Sequence, residues 1–353
     1  MFETALPAEA DGVFEGGGVK GIALVGALSA AEEAGVERWK NVAGTSAGAI
    51  VACLVAVGYT AEKLHEIMAP LDYAAFADYG WPGKVRGLLW NQFRMRGLAP
   101  GRFFKQWLGN QIAQSPLANE VGERELRFKH LVRADLPAGL SDDEQQRVRY
   151  RLQVIASDVT GGRMLLLPND IAGFSLTRGG PTIVPDELLV VDAVRMSMSY
   201  PYLFAPVTLW QNDRAHFMVD GGLLSNFPIW LFDTQSQPPA RPTWGFRLHG
   251  GVNPDEHPPY RPIPMPFWRL KLLKAMFEAA TGAWDRWQLD AATSARAVSI
   301  PTGTIATTDF GLTRGEADGL FERGRSRGQE FFASDEARRY LEAFVKRPAA
   351  TRV

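Results

Sequence analysis

The sequence predicts an α/β protein of three layers, α/β/α, with helices on both faces of a mostly parallel central sheet. Three observations carry the prediction. The short strand Gly12 to Phe14 runs through the loop Gly16-Gly17-Gly18-Val19-Lys20-Gly21 into the helical stretch Ile22 to Ala34, which Gly35 stops. A second unit of the same build follows directly: Asn41 to Ala43, the turn Gly44-Thr45-Ser46-Ala47-Gly48, and the apolar helical run Ala49 to Val57, closed by Gly58. Repeated strand, turn and helix with short links is the pattern of a parallel sheet buried between helices. The third observation is bulk: 353 residues, 46% of them hydrophobic, suffice to bury such a sheet.

The later elements follow in order. Thr60 caps a helix from Ala61 to Met68. Over residues 72–108 the alternation fades and aromatics gather, Tyr73, Phe76, Tyr79, Trp81, Trp90, Phe93, Phe103, Phe104 and Trp107, interleaved with Lys84, Arg86, Arg94, Arg96, Arg102 and Lys105. Two readings stand: a lid-like insertion that makes peripheral contact with a membrane, or aromatics packed beneath an irregular loop. Leu117 to Asp143 reads as mixed helix and loop. Arg149 to Ala156 is a buried strand, Asp158-Val159-Thr160-Gly161-Gly162 a turn, and Arg163 to Leu167 the returning strand. Glu187 to Ser199 reads as a helix ended by Pro201, then the apolar run Tyr202 to Val207. Strands are expected at His216 to Val219 and Thr243 to Leu248.

Within residues 252–296, Asn253 to Pro266 carries Pro254, Pro258, Pro259, Pro262, Pro264 and Pro266, which forces an extended connector. Phe267 to Ala279 is then a basic amphipathic helix that either packs on the core or touches membrane. Ala297 to Pro301 is a last strand, and charged helices at Arg314 to Phe332 and Asp335 to Lys346 finish the chain. The expected organisation is a tail at 1–11, one catalytic domain at 12–335, and a C-terminal helix and tail at 336–353.

Composition excludes several function classes. With 38 basic and 39 acidic residues the net charge is -1, which leaves no global electrostatic footprint for nucleic acid. The single Cys53 sits in the apolar helix after Ser46, so neither a disulfide framework nor a cysteine metal site can be built within one chain. The N-terminus Met1-Phe2-Glu3-Thr4 lacks a basic start and apolar run, and no stretch reaches the roughly 18 apolar residues of a membrane span. A cytoplasmic protein is expected, with export by a route without a cleaved signal left open.

The glycines and the serine admit three chemistries. Gly16 to Gly21 matches G-x-G-x-x-G, a dinucleotide fingerprint, but the acid at the right distance, Glu37, precedes the second strand instead of ending it. A Walker A loop is absent, since no G-K-[ST] follows. Ser46 between Gly44 and Gly48 has the form of a nucleophile elbow, whose strained turn tolerates only minimal side chains two residues either side and whose following helix favours negative charge. A conventional serine esterase would then need a histidine. Its fold, however, places several strands before the nucleophile, and none of His65, His130, His216, His249 and His257 has a context that marks it as the base. His216 is expected in a structural role. What remains is a carboxylate base, and Asp220, at the end of an apolar strand and followed by Gly221-Gly222, holds such a position, although Asp-Gly taken alone reads as an ordinary turn.

Gly16 to Gly21, Gly44 to Gly48 and Asp220-Gly221-Gly222, in that order, resemble the patatin-like phospholipase family of acyl hydrolases. Ala156 to Gly162, Ala193 to Ser199 with Pro201, Asn226-Phe227-Pro228 and the helix around Gly315 to Gly328 are similar to further segments of it. The resemblance implies a patatin-like fold and a serine–aspartate dyad: Ser46 as nucleophile, Asp220 as base, and amides of Gly16, Gly17 and Gly18 as oxyanion hole. Lys20, Gly21, Gly44, Gly48, Gly221 and Gly222 support these motifs, with Lys20 either drawing a phosphate headgroup or merely solvated. It implies a phospholipid or other lipid ester as substrate and neither metal nor organic cofactor. Arg195 is expected in a buried ion pair.

Overall fold

A computed structural model describes residues 6–76, 97–235, 239, 241–249, 295–307 and 309–345. The aromatics Tyr79, Trp81, Trp90 and Phe93, the proline-rich connector and the amphipathic helix Phe267 to Ala279 lie outside the described residues.

Ten strands are described: β1 (Glu9–Phe14), β2 (Arg38–Thr45), β3 (Gly97–Ala99), β4 (Leu152–Asp158), β5 (Arg163–Leu167), β6 (Tyr202–Phe204), β7 (Val207–Gln211), β8 (Arg214–Asp220), β9 (Thr243–His249) and β10 (Ala297–Pro301). Eight form one sheet in the order β10-β9-β1-β2-β4-β8-β7, with β5 also on β4, while β3 and β6 pair separately. The run from β10 to β4 is parallel, and β5, β8 and β7 join antiparallel. The sheet is thus parallel where the repeated strand–helix units predicted it, and a meander completes it. β1 begins at Glu9 and Leu6 is in the core, so residues 6–11 of the expected tail at 1–11 belong to the packed domain.

One arrangement in this sheet creates the site. β2 pairs with β4 from Leu152 to Ile155, and β8 pairs with β4 from Ala156 to Asp158. β5 overlaps both stretches, so it occupies the other edge of β4, and β2 and β8 share one edge. They meet there end to end, Thr45 opposite Ile155 and Asp220 opposite Ala156. Two positions about 175 residues apart in sequence are brought together by adjacent registers on a third strand.

The helices among the described residues are α1 (Gly21–Glu33), α2 (Ala47–Ala56), α3 (Ala61–Met68), α4 (Arg102–Ala113), α5 (Pro116–Val121), α6 (Asp142–Arg149), α7 (Val190–Ser197), α8 (Arg314–Phe332) and α9 (Asp335–Val345). Strand alternation separates two apolar cores, as a period of two requires. Phe14, Val42, Val154 and Ala156 face the larger core with α1, α2, α7 and α8. Val13, Ala43 and Ile155 face a smaller one built with Val148 of α6 and the 3-10 turn Ile229–Phe232. Thr60 caps α3 through its side chain, as expected. The expected helix Glu187 to Ser199 is shorter, because Pro185–Glu187 forms a 3-10 turn and α7 starts only at Val190. Of the described aromatics in 72–108, Tyr73, Phe76 and Phe104 are buried in the larger core, Trp107 packs against it, and Phe103 is exposed. α1 and α8 touch at backbone distance through Gly26, Gly324 and Gly328.

Candidate active site

Ser46 stands between β2 and α2 with φ 54° and ψ -124°, a left-handed conformation that a non-glycine residue adopts only under constraint. The constraint is visible in the flanking glycines. A Cβ on Gly44 would lie 2.2 Å from the carbonyl oxygen of Gly48, and one on Gly48 would lie 2.2 Å from that of Phe14. The chain passes so close to itself that only glycine fits at either position. The Ser46 amide is held by the buried Ser197, to whose Oγ it donates at 2.8 Å, and Thr45 Oγ1 donates to the carbonyl of Ser225 at 3.1 Å. The first amides of α2 point back at the turn, where they favour negative charge. Ser197→Ala leaves the Ser46 amide buried without its acceptor, and is expected to lower stability by about 1–3 kcal/mol, measured by urea denaturation.

Asp220 ends β8 and is 2% exposed. Its amide donates to the carbonyl of Ser199 at 2.9 Å, and its Oδ1 accepts from the Gly222 amide at 2.8 Å. A Cβ on Gly221 would meet the Ile155 carbonyl oxygen at 2.3 Å, so the turn after Asp220 must also be glycine. Burial pushes the Asp220 carboxyl from its ordinary 3.8 to about 6, against the hydrogen bonds from the Ser46 side chain and the Gly222 amide, which lower it. The Ser46 hydroxyl thus lies near enough to the Asp220 carboxyl to favour its ionised form. Ser46 Oγ also lies 3.7 Å from Met198 Sδ.

The glycine loop lies against this pair. A Cβ on Gly16 would sit 3.2 Å from that of Ser46 and 2.3 Å from Asn226 Oδ1. Gly18 has φ 56°, and a Cβ there would strike the Thr307 carbonyl oxygen at 2.1 Å. Asn226 clamps the loop: Nδ2 donates to the Gly16 carbonyl at 3.1 Å, and the Asn226 carbonyl accepts from the Gly16 amide at 3.1 Å. This corrects one expectation, since the Gly16 amide is already engaged. The amides of Gly17 and Gly18 donate to no group among the described residues, and they open the 3-10 turn Gly18–Lys20. Lys20 is half-buried at the start of α1, and a Cβ on Gly21 would lie 3.1 Å from that of Ala47, seating α1 on α2. The dinucleotide reading meets a physical obstacle: β2 ends in Thr45-Ser46 where such a site needs an acid.

The end of α7 and the two residues after it belong to the stretch Ala193 to Ser199, which stood in the sequence as a resemblance with no role for Ser197, Met198 or Ser199. Ser197, Met198 and Ser199 each touch one member of the pair, and Arg195 braces them by donating to Ser199 Oγ at 2.6 Å and to the carbonyls of Pro100 and Ala205. Arg195, expected in a buried ion pair, makes these bonds to neutral oxygens. An apolar pocket adjoins Ser46, lined by Val19, Ile50, Phe76, Met198, Leu203 and Phe310 together with Tyr73. Of the histidines, His65 meets Asp318 at 3.2 Å, His130 accepts from the Arg127 amide, and His216 is buried against Asp158 at 2.8 Å, a structural pairing. His249 ends β9, and His257 lies outside the described residues. Among the described residues no three His, Cys, Asp or Glu side chains gather as a metal site would require.

Comparison with known proteins adds to this geometry. Residues 12–233 match the patatin-like phospholipase family. The chain is 36% identical over 323 residues to the uncharacterized protein YqhO of Bacillus subtilis (strain 168), covering 91% of this chain and 97% of that one. It is 25% identical over 220 residues to the uncharacterized protein R571 of Acanthamoeba polyphaga mimivirus, covering 62% and 59%. Among solved structures it resembles VipD from Legionella pneumophila, with TM-score 0.51 and 16% identity over 93% of this chain and 67% of that one, a likeness of fold.

Proposed function

The chain belongs to the patatin-like phospholipase family, a family of lipid hydrolases, and on that premise we propose that it cleaves carboxylic esters of lipids, as a phospholipase A or lysophospholipase does, through an acyl-Ser46 intermediate. The observation that carries the proposal is the pairing of Ser46, held at φ 54°, with a buried Asp220 whose carboxyl is pushed up to about 6. A carboxylate at its ordinary pKa is a poor base for a serine hydroxyl, and desolvation brings it closer to the task. Asp220 takes the Ser46 proton as Oγ attacks the ester carbonyl. Charge collects on the carbonyl oxygen, for which the amides of Gly17 and Gly18 and the start of α2 are the proposed donors. Collapse expels the alcohol with the proton from Asp220, and a water activated by the same carboxylate then releases the acid. The acyl chain goes into the apolar pocket beside Ser46. Among the described residues no helix is long and apolar enough to cross a membrane, and a peripheral contact is proposed as the way the lipid is met.

A fluorophosphonate probe tests the proposal. One adduct is expected, on Ser46, absent in Ser46→Ala and formed far more slowly in Asp220→Asn. A folded protein that takes no adduct, or takes it elsewhere, would falsify the assignment.

A further inference from the structure

We propose that the Tyr73 hydroxyl recognises an oxygen carried on the acyl chain, so that the pocket beside Ser46 selects hydroxylated acyl chains over plain ones. The inference rests on the acyl hydrolase reading and deepens it.

Tyr73 lines the same pocket as Ser46 and is 5% exposed. Its hydroxyl is buried and has no hydrogen-bond partner among the described residues. Several other buried side chains also carry an unpartnered polar atom, but none of those lines this pocket. In the unfolded chain water satisfies the hydroxyl, and folding forfeits that bond with nothing in return. Phenylalanine would fill the same space without the loss. The ring is seated edge-on against Phe76, centroids 5.9 Å apart at 85°, so the hydroxyl does not easily turn away to another partner. Burial pushes the phenol well above its ordinary range, which keeps it a donor at every physiological pH. The missing partner is therefore an acceptor brought in by the ligand. Val19, Ile50, Met198 and Leu203 make the surrounding walls apolar, which suits a hydrocarbon chain and not a charged headgroup. An oxygen on that chain, as a hydroxyl, meets both demands.

The test uses the full chain and matched 4-nitrophenyl octanoates, plain or hydroxylated at each successive carbon. At least one hydroxylated isomer is expected to be turned over with kcat/KM roughly five-fold or more above the plain ester, and Tyr73→Phe is expected to bring that ratio to about one. No favoured isomer in the wild-type protein, or a preference that survives in Tyr73→Phe, overturns the inference. Turnover without discrimination sinks only this inference, whereas no turnover of any ester sinks the hydrolase reading. A second measurement needs neither catalysis nor the tyrosine variant: Ser46→Ala is titrated calorimetrically with octanoate and the hydroxyoctanoates. Tighter binding of one hydroxy acid supports the assignment, and equal affinities across the set overturn it; an ordered water satisfying the hydroxyl would give that second result.

Discussion

Asp220→Asn is expected to lower ester turnover by roughly 10²–10⁴-fold and, at neutral pH, to make the protein more stable. The two effects share one cause. Asp220 is buried opposite Ala156 of β4, and burial holds its carboxyl at about 6 where an unfolded chain would have 3.8. Between those values the folded chain keeps a proton that the unfolded chain has released. Stability therefore falls as pH rises across that window, and the full cost, of order 3 kcal/mol, is present above it. Asparagine keeps the acceptor for the Gly222 amide and never ionises, so its unfolding midpoint should exceed that of the wild-type protein at pH 7–8. The gap should close below about pH 4, where both side chains are neutral. Activity runs the other way: kcat/KM of the wild-type protein should rise with pH and level off above about 6 as Asp220 loses its proton. Paired thermal melts and pH–rate profiles read both. A variant that loses activity and stability together would mean that Asp220 is only a turn residue.

How much of this was legible in the sequence depends on whether a residue's role is set locally. Gly44 and Gly48 were legible because a nucleophile turn demands glycine at fixed offsets from its serine, and the backbone contacts at 2.2 Å are that demand made visible. Asp220 was legible through the glycines after it, but the reason it reaches Ser46 was not. The rule that ligands gather at carboxyl ends of strands was drawn from parallel sheets. β8 runs antiparallel to β4 and delivers Asp220 from the opposite direction. No periodicity encodes that two strands will share one edge of a third. Ser197 and Asn226 stood in stretches that resemble the family, but their roles were missed for a related reason: nothing nearby tells that a serine accepts an amide 151 residues away or that an asparagine clamps a loop 210 residues back. The engagement of the Gly16 amide by Asn226 follows from the same long-range contact. Strand lengths were underestimated where polar residues sit inside them, as Asp11 in β1 and Lys40 in β2 do, because Asp11 is satisfied by Arg241 and Lys40 by Glu9 and Asp135.

One helix should give opposite results for the same substitution. Gly324→Ala in α8 is expected to destabilise by about 3 kcal/mol or more, while Gly319→Ala, five residues earlier, should stabilise by roughly 0.5–1 kcal/mol. A Cβ on Gly324 would lie 1.9 Å from the carbonyl oxygen of Ala23 and 2.9 Å from its carbon, both backbone atoms of α1 that no rotamer can move. From the other side, Gly26 faces the carbonyl oxygen of Phe321 at the same 1.9 Å. The helices must part by more than an ångström to admit one methyl group, and the whole apolar contact of α1 with α8 loosens with them. Nothing lies within 4 Å of a Cβ on Gly319, so alanine there only removes backbone freedom from the unfolded chain. Urea denaturation of the two variants reads the signs directly. Activity extends the test, because α1 begins at Gly21, immediately after the glycine loop, and is seated on Ala47 beside the nucleophile. Displacing α1 shifts the amides of Gly17 and Gly18 from Ser46, so Gly324→Ala should also lose turnover under conditions where it remains folded, and Gly319→Ala should not. Equal stability of the two variants would mean that α1 and α8 do not meet at backbone distance.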